Sequence, residues 1–303
     1  MTGRRTSVRR APARRLAMCW ILAAALAGCS SETATPSPSP TPAPLPTPVL
    51  TTYSLETTAW VEGLVVTVHG ASASLDRKGG PVTVTLRIDN PGADVAALDV
   101  PIRLTASGYV YNVISGTVLP EVEAGGSAEV SLVFEVNSHS SIDDGVLRIG
   151  RPGDHQVQIP FTNGPIPTIT LKPVPAALSG AVAAGGIRLA LRHMEVRWDV
   201  PDYYQELPVS TEALTVTYDV TYLGTFTGGI AFTAANVRLR LPNGTLVAPR
   251  KDGHSQSAVL VGPGKTAKNL FSRFEIPTST SGTLGLLVMD GSIHRVVAFK
   301  IGP

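Results

Sequence analysis

Cysteine is almost missing from this chain: two occur in 303 residues, Cys19 and Cys29. Thiolate sites for zinc or iron–sulfur clusters need more, so both are excluded. Aromatic residues make up 6% and charged residues 16%, against 43% hydrophobic. That balance excludes collagen, coiled coil and wholly disordered chains, and leaves core building to aliphatic side chains. The apolar run from Leu16 to Ala27 has 12 residues, too few to cross a hydrocarbon layer of about 30 Å. Beyond it no amphipathic helix longer than two turns is visible.

Catalytic signatures are missing as well. No Gly-x-Ser-x-Gly elbow occurs. Gly262-Pro263-Gly264-Lys265-Thr266 imitates the end of a phosphate loop, but that loop needs a glycine at 259, where Val259 stands. Its sequel is strand-like, so no helix amino terminus follows to hold a phosphate. The six histidines His69, His139, His155, His193, His254 and His294 stand singly, with no i, i+2 or i, i+4 pair to ligate a metal. Asp143 and Asp144 precede Gly145, where turns favour carboxylates, and no calcium loop with alternating oxygen ligands appears. The expectation is a protein that is not an enzyme and holds neither metal nor cofactor.

What is present begins with an address. Arg4, Arg5, Arg9, Arg10, Arg14 and Arg15 precede the apolar run, as in a signal peptide, by the general or the twin-arginine route. The run ends in Leu26-Ala27-Gly28-Cys29, which resembles the lipobox of bacterial lipoproteins. That resemblance implies cleavage after Gly28 and a diacylglyceryl group on the Cys29 thiol, with acylation of the new amino terminus. Two or three acyl chains, at about 0.8 kcal/mol per buried methylene, hold a protein on a membrane. Removing residues 1–28 takes six of the 25 basic side chains, leaving 19 against 23 acids and a net charge of −4. A basic surface for nucleic acid is thereby excluded as a whole-protein property. Cys29 alone would remain, so no internal disulfide is possible.

Residues 29–50 read as a stalk. Pro36, Pro38, Pro40, Pro42, Pro44, Pro46 and Pro48 alternate with Ser, Thr, Ala and Leu, a pattern that favours polyproline II and a reach of roughly 60 Å. From residue 51 the hydrophobic period becomes two. Val82, Val84, Leu86 and Ile88 alternate with polar residues, as do Leu214, Val216, Tyr218, Val220 and Tyr222, the mark of strands with one buried face. Asn90-Pro91-Gly92, Gly125-Gly126, Asn243-Gly244 and Asp252-Gly253 supply turns.

The strands form an internal repeat. Gly63–Val68 echoes Gly186–Leu191, Val82–Leu86 echoes Leu214–Tyr218, and Ile102–Leu104 with Ser107-Gly108 echoes Val237–Leu239 with Asn243-Gly244. Gly125 with Phe134–Val136 echoes Gly264 with Phe274–Ile276, and His155–Val157 echoes His294–Val296. The reading is all-β: a first sandwich over 51–163 and a second over 164–303, each of about seven short strands and immunoglobulin-like. Ile88–Gly92, Ser107-Gly108 and Ala124–Gly126 leading into Val130–Val136 resemble the Ig-like extracellular domains common in Gram-positive lipoproteins. The second copy keeps Pro263-Gly264 and Phe274 but has Leu223-Gly224 in place of the Asn-containing turn. That family supplies no catalytic residues.

One segment differs between the copies. Arg77–Pro81 of the first is answered by Val200–Ala213, which contains Asp202, Tyr203, Tyr204, Glu206 and Pro208. Adjacent tyrosines in an extended segment cannot both face a core, so this is the candidate partner-binding loop. Tyr109 and Tyr111 read as packing residues on one strand face. The function expected is binding or display by a lipid-anchored protein, exported and held on the outer face of the cell membrane, or of the outer membrane in a diderm. Its partner would be a protein or envelope component. The alternative is a ligand- or metal-binding accessory of a transporter or envelope sensor, with its ligand between the domains near residues 162–168, where Asn163-Gly164-Pro165 and Pro167 make a short stiff connection.

Overall fold

A computed structural model of the chain describes residues 48–114, 117–251 and 258–301. The expected signal peptide, lipobox and stalk before Pro48, with Cys29, and the expected turn at Asp252-Gly253 with His254, lie outside the described residues. Among those described there is no α-helix, only strands, turns and two single 3₁₀ turns at Pro201–Tyr203 and Ala234–Asn236. The fold is all-β.

The first ten strands are β1 (Val49–Val61), β2 (Leu64–Leu75), β3 (Gly79–Asp89), β4 (Ala96–Ala97), β5 (Ile102–Ala106), β6 (Tyr109–Asn112), β7 (Glu121–Val122), β8 (Ser127–Asn137), β9 (Val146–Ile149) and β10 (Val157–Pro160). They form antiparallel sheets β1-β2-β3-β8 and β10-β9-β5-β6, with β4 paired to β7. Inward residues of both larger sheets, among them Val66, Val84, Leu86, Leu104, Leu132, Phe134, Leu147 and Ile159, share one buried cluster.

The remaining strands are β11 (Val174–Ala177), β12 (Ala181–Ala184), β13 (Ile187–Arg197), β14 (Asp199–Val200), β15 (Gln205–Glu206), β16 (Thr211–Tyr222), β17 (Ile230–Phe232), β18 (Val237–Arg240), β19 (Leu246–Val247), β20 (Val259–Val261), β21 (Thr266–Pro277), β22 (Gly282–Asp290) and β23 (Ile293–Ile301). Their sheets run β11-β13-β16-β21 and β19-β18-β22-β23, with β17 paired to β20. The strand order is that of the first set. A second buried cluster, with Leu189, Val216, Tyr218, Phe232, Leu239, Phe274 and Leu286, lies within them.

The correspondence extends to irregularities. The β2–β3 ladder shifts register between Val68 and Gly70, and the β13–β16 ladder between Leu191 and His193. Each bulge sets one extra residue, His69 or Arg192, outside the pairing. Gly125 and Gly264 have φ of +67° and +69°, a left-handed turn that glycine enters without steric cost. Tyr109 and Tyr111 lie with ring centroids 6.4 Å apart. Tyr111 is half-buried and hydrogen-bonded to Ser140, whereas Tyr109 is exposed, because the short edge strand β6 gives its ring nothing to pack under.

Phe134 and Phe274 occupy equivalent places in the two cores, both fully buried. Truncating either to alanine leaves a cavity that aliphatic neighbours on fixed strands cannot close. Phe134→Ala and Phe274→Ala are each expected to cost about 3–5 kcal/mol, read as a lowered midpoint in urea denaturation.

Candidate functional site: the seam between the cores

The two cores meet through the segment Arg197–Thr211. Its strands β14 and β15 make a small hairpin, pairing Asp199 with Glu206 and Val200 with Gln205. Pro201 starts the intervening 3₁₀ turn, and Tyr204 closes it with φ +48° and its N–H donating to the Pro201 carbonyl at 3.2 Å. Val200, Leu207 and Ala213 form a third small buried cluster.

The hairpin is fastened to the first core from several sides. The β1–β2 turn consists of Glu62 and Gly63, both with positive φ, the geometry that matches strand twist in a two-residue turn. Gly63 N–H donates to Asp199 Oδ2 at 2.7 Å. A Cβ on Gly63 would sit 2.8 Å from the Pro201 Cβ, so only glycine permits this approach. His155 N–H donates to the Leu207 carbonyl at 2.9 Å and Val209 N–H to the Gly153 carbonyl at 3.1 Å. His155 Nε2 lies 2.8 Å from the Thr211 carbonyl, an acceptor, so the ring proton is on Nε2. The His155 ring stands edge-on to Trp198, with centroids 6.4 Å apart.

Charge is concentrated here, mostly out of water. Arg197 donates from Nε to Asp199 Oδ1 at 2.7 Å and from Nη2 to Oδ2 at 3.0 Å, the bidentate geometry that suits a guanidinium. Glu62 is 1% exposed; its Oε1 accepts from Arg151 Nη1 at 3.2 Å and its Oε2 from the Asp99 N–H at 3.2 Å. Burial raises its carboxyl above the usual range. Glu206 is 3% exposed. Its Oε2 accepts a long bond from the Arg151 N–H at 3.4 Å, and its Oε1 has no hydrogen-bond partner among the described residues. Burial, with the Glu62 and Asp154 carboxylates adding to it, pushes the Glu206 carboxyl up to about 8.

These positions redistribute the candidate loop. Glu206 does not face a partner: it lies in the seam, because strand alternation in the hairpin turns it toward Gly150 and Arg151. Asp202 is ion-paired to the buried Arg273, 2.8 Å from Nη1 to Oδ2. Tyr204 packs against the first core. Tyr203 is 38% exposed and is the more accessible ring. Asp202 and Tyr204, with Gly63, Asn90, Gly92, Ala93, Asp94 and Pro201, line a cleft of about 250 Å³. Asn90 is buried and shapes its floor: Nδ2 donates to the Asp94 and Val122 carbonyls at 2.7 and 2.9 Å, and Oδ1 accepts the Gly92 N–H at 2.9 Å. Its main chain bonds to Gly125 and Gly126, so the Asn-Pro-Gly and Gly-Gly turns singled out in the sequence are one structure.

The segment 162–168 does not lie between the cores. Phe161 N–H donates to the Gly145 carbonyl, the chain then reverses, and Ile169 pairs with Gln158 while Trp60 N–H reaches the Thr170 carbonyl. A cavity of about 500 Å³ beside it is lined by Pro160, Asn163, Gly164, Ile166, Pro167 and Thr168, and so belongs to the first core's flank. Glu62, Arg151, Arg197 and Asp199 carried no motif; the one signal was charged residues interrupting an apolar alternation. Among the described residues no group of three or more His, Cys, Asp or Glu side chains is placed to hold a metal ion. No described helix is long and apolar enough to cross a membrane. Cys29, Leu26, Ala27 and Gly28 lie outside the described residues.

No protein-family model matches the sequence, and no curated protein matches it. Among solved structures, a conserved hypothetical protein from Bacillus anthracis is similar at 14% identity and TM-score 0.28, covering 36% of this chain and 96% of its own. A conserved domain protein from Bacillus anthracis is similar at 9% identity and TM-score 0.24, covering 82% of this chain and 90% of its own. Likeness at these scores carries no argument about function.

Asp199→Ala would leave Arg197 with only its pair to Glu195 and the Gly63 N–H without its acceptor. It is expected to cost about 3–5 kcal/mol in urea denaturation and to speed proteolytic cleavage within 199–208. Glu212, buried on β16, has its carboxyl pushed up to about 7 by burial. The folded state then keeps a proton that the unfolded chain releases near 4.5, so this contribution to stability is complete below about 4.5 and is lost as pH rises through 7. Glu212→Gln is expected to melt like the parent at pH 4 and to be more stable by about 3 kcal/mol at pH 8, checked by thermal melts across that range.

Proposed function

We propose that this is a lipid-anchored, exported binding or display protein without catalytic activity. In this reading Cys29 carries the acyl groups, the proline-alternating stalk spaces the folded part from the membrane, and two immunoglobulin-like modules present a contact face at their seam. The observation that carries the reading is the hairpin 199–206, fixed to both cores and holding Tyr203 exposed beside the cleft walled by Asp94, Asp202 and Tyr204. An aromatic ring held on a rigid support loses little conformational entropy on binding, which favours it as an anchor for a protein or envelope partner.

The test has two arms. Mass spectrometry of the protein from its native host is expected to find acylated Cys29 as the first residue; an unmodified thiol would refute the anchor. Tyr203→Ala combined with Asp94→Lys is expected to abolish capture of a partner from envelope extract while leaving the melting temperature within about 2 °C, since exposed substitutions act within about 0.5 kcal/mol. Undiminished capture would remove the seam as the contact face.

A further inference from the structure

Among the buried side-chain oxygens of the seam, Glu206 Oε1 stands apart in having no hydrogen-bond partner. Its surroundings explain why that matters. From the β1–β2 turn Glu62 faces it; from the β9–β10 loop come Asp154, the Arg151 main-chain N–H and guanidinium, and the His155 carbonyl side of Gly150. Arg151 is the nearby cation, and its guanidinium is already committed to Glu62 and to the Asp99 carbonyl. The other local cation, Arg197, is taken up by Asp199, which also accepts from Gly63, and by Glu195, 3.5 Å from Nη1 to Oε1. A neutral carboxyl tolerates this site; a charged one would lie buried with two carboxylates in front of it and no free donor.

We propose that Glu206 is a proton-operated latch on the seam: protonated, it lets the β14–β15 hairpin lie closed between the two cores, and ionised, it repels Glu62 and Asp154 and releases the hairpin. The geometry gives the release a direction. Glu206 pairs across the hairpin with Asp199, the acceptor for Gly63, and Leu207 beside it is the acceptor for His155. Displacing Glu206 therefore loosens the hydrogen bonds that join the cores here, one to the Asp199 carboxylate and one to the Leu207 carbonyl, while the large aliphatic clusters on either side are untouched. The same hairpin carries Asp202 and Tyr204, so the cleft keeps its shape only while the latch is closed. This last consequence rests on the contact-face reading above; the latch does not.

Hydrogen exchange of the full chain, read by mass spectrometry between pH 6.5 and 9 and normalised to an unstructured peptide for the intrinsic pH effect, tests the proposal. Protection of residues 62–63 and 199–207 is expected to fall at least tenfold as pH rises, with a midpoint near 8, while 82–88 and 214–220 stay protected. Glu206→Gln should keep the seam protected throughout. Asp154→Asn, on the surface side, should retain the transition and move its midpoint down, since one repelling charge is gone. Seam protection that does not change with pH, or a transition that persists in Glu206→Gln, would overturn the latch. Partner capture that stays undiminished across an intact transition would instead count against the contact face alone.

Discussion

Burial of aliphatic side chains from one face of each sheet is the interaction on which the rest of this structure depends. With no disulfide among the described residues and few aromatics, the sheets are held by Val, Leu and Ile packed between them, with Phe134, Tyr218, Phe232 and Phe274 as the large fillers. At about 25 cal/mol per Å² of apolar surface removed from water, such clusters can outweigh the cost of ordering long strands. The dependence on alternation is strict, since a slip of one residue would turn every inward side chain out. The bulges at His69 and Arg192 reconcile that demand with bent strands: each inserts one residue and restores the alternation beyond it.

The seam obeys a different physics. Where aliphatic packing would have sufficed, the contact between the cores uses Glu62, Arg151, Arg197, Asp199 and Glu206, with only Val200, Leu207 and Ala213 as a small apolar filling. Buried ion pairs contribute little net stability because desolvation offsets their attraction, but removing one partner is costly. Such a contact therefore fixes geometry more than it adds stability. It also makes the junction responsive to protons, which an aliphatic contact cannot be.

The strand pattern was legible because a period of two is a local property. The runs Val82–Ile88 and Leu214–Tyr222 announce their buried face without reference to anything else, and the turn glycines at 108, 125, 244 and 264 adopt left-handed conformations at no steric cost. The loop over 200–213 was visible only as a departure between two copies. Its tyrosines could be named, but the sequence could not show that Glu206 turns inward or that Pro201 rests on Gly63. Those contacts join distant positions, Glu206 with Arg151 55 residues away and Gly63 with Asp199 136 residues away, and no spacing rule connects them. The same limit placed 162–168 between the cores, when the pairing of the residues that follow it, Ile169 with Gln158 and Thr170 with Trp60, draws it onto the first.

The sequence by itself determined the all-β class, the buried faces of the long strands and turns such as those at Gly108, Gly125 and Gly244, because each follows from side-chain alternation and backbone sterics within a few residues. Only the tertiary structure decided which charges lie out of water. Glu206 and Glu212 are ordinary glutamates until neighbouring strands remove their solvent, and Asp202 is a free carboxylate until Arg273 reaches it. Solvation depends on everything packed around a group, and that is set by contacts between distant parts of the chain.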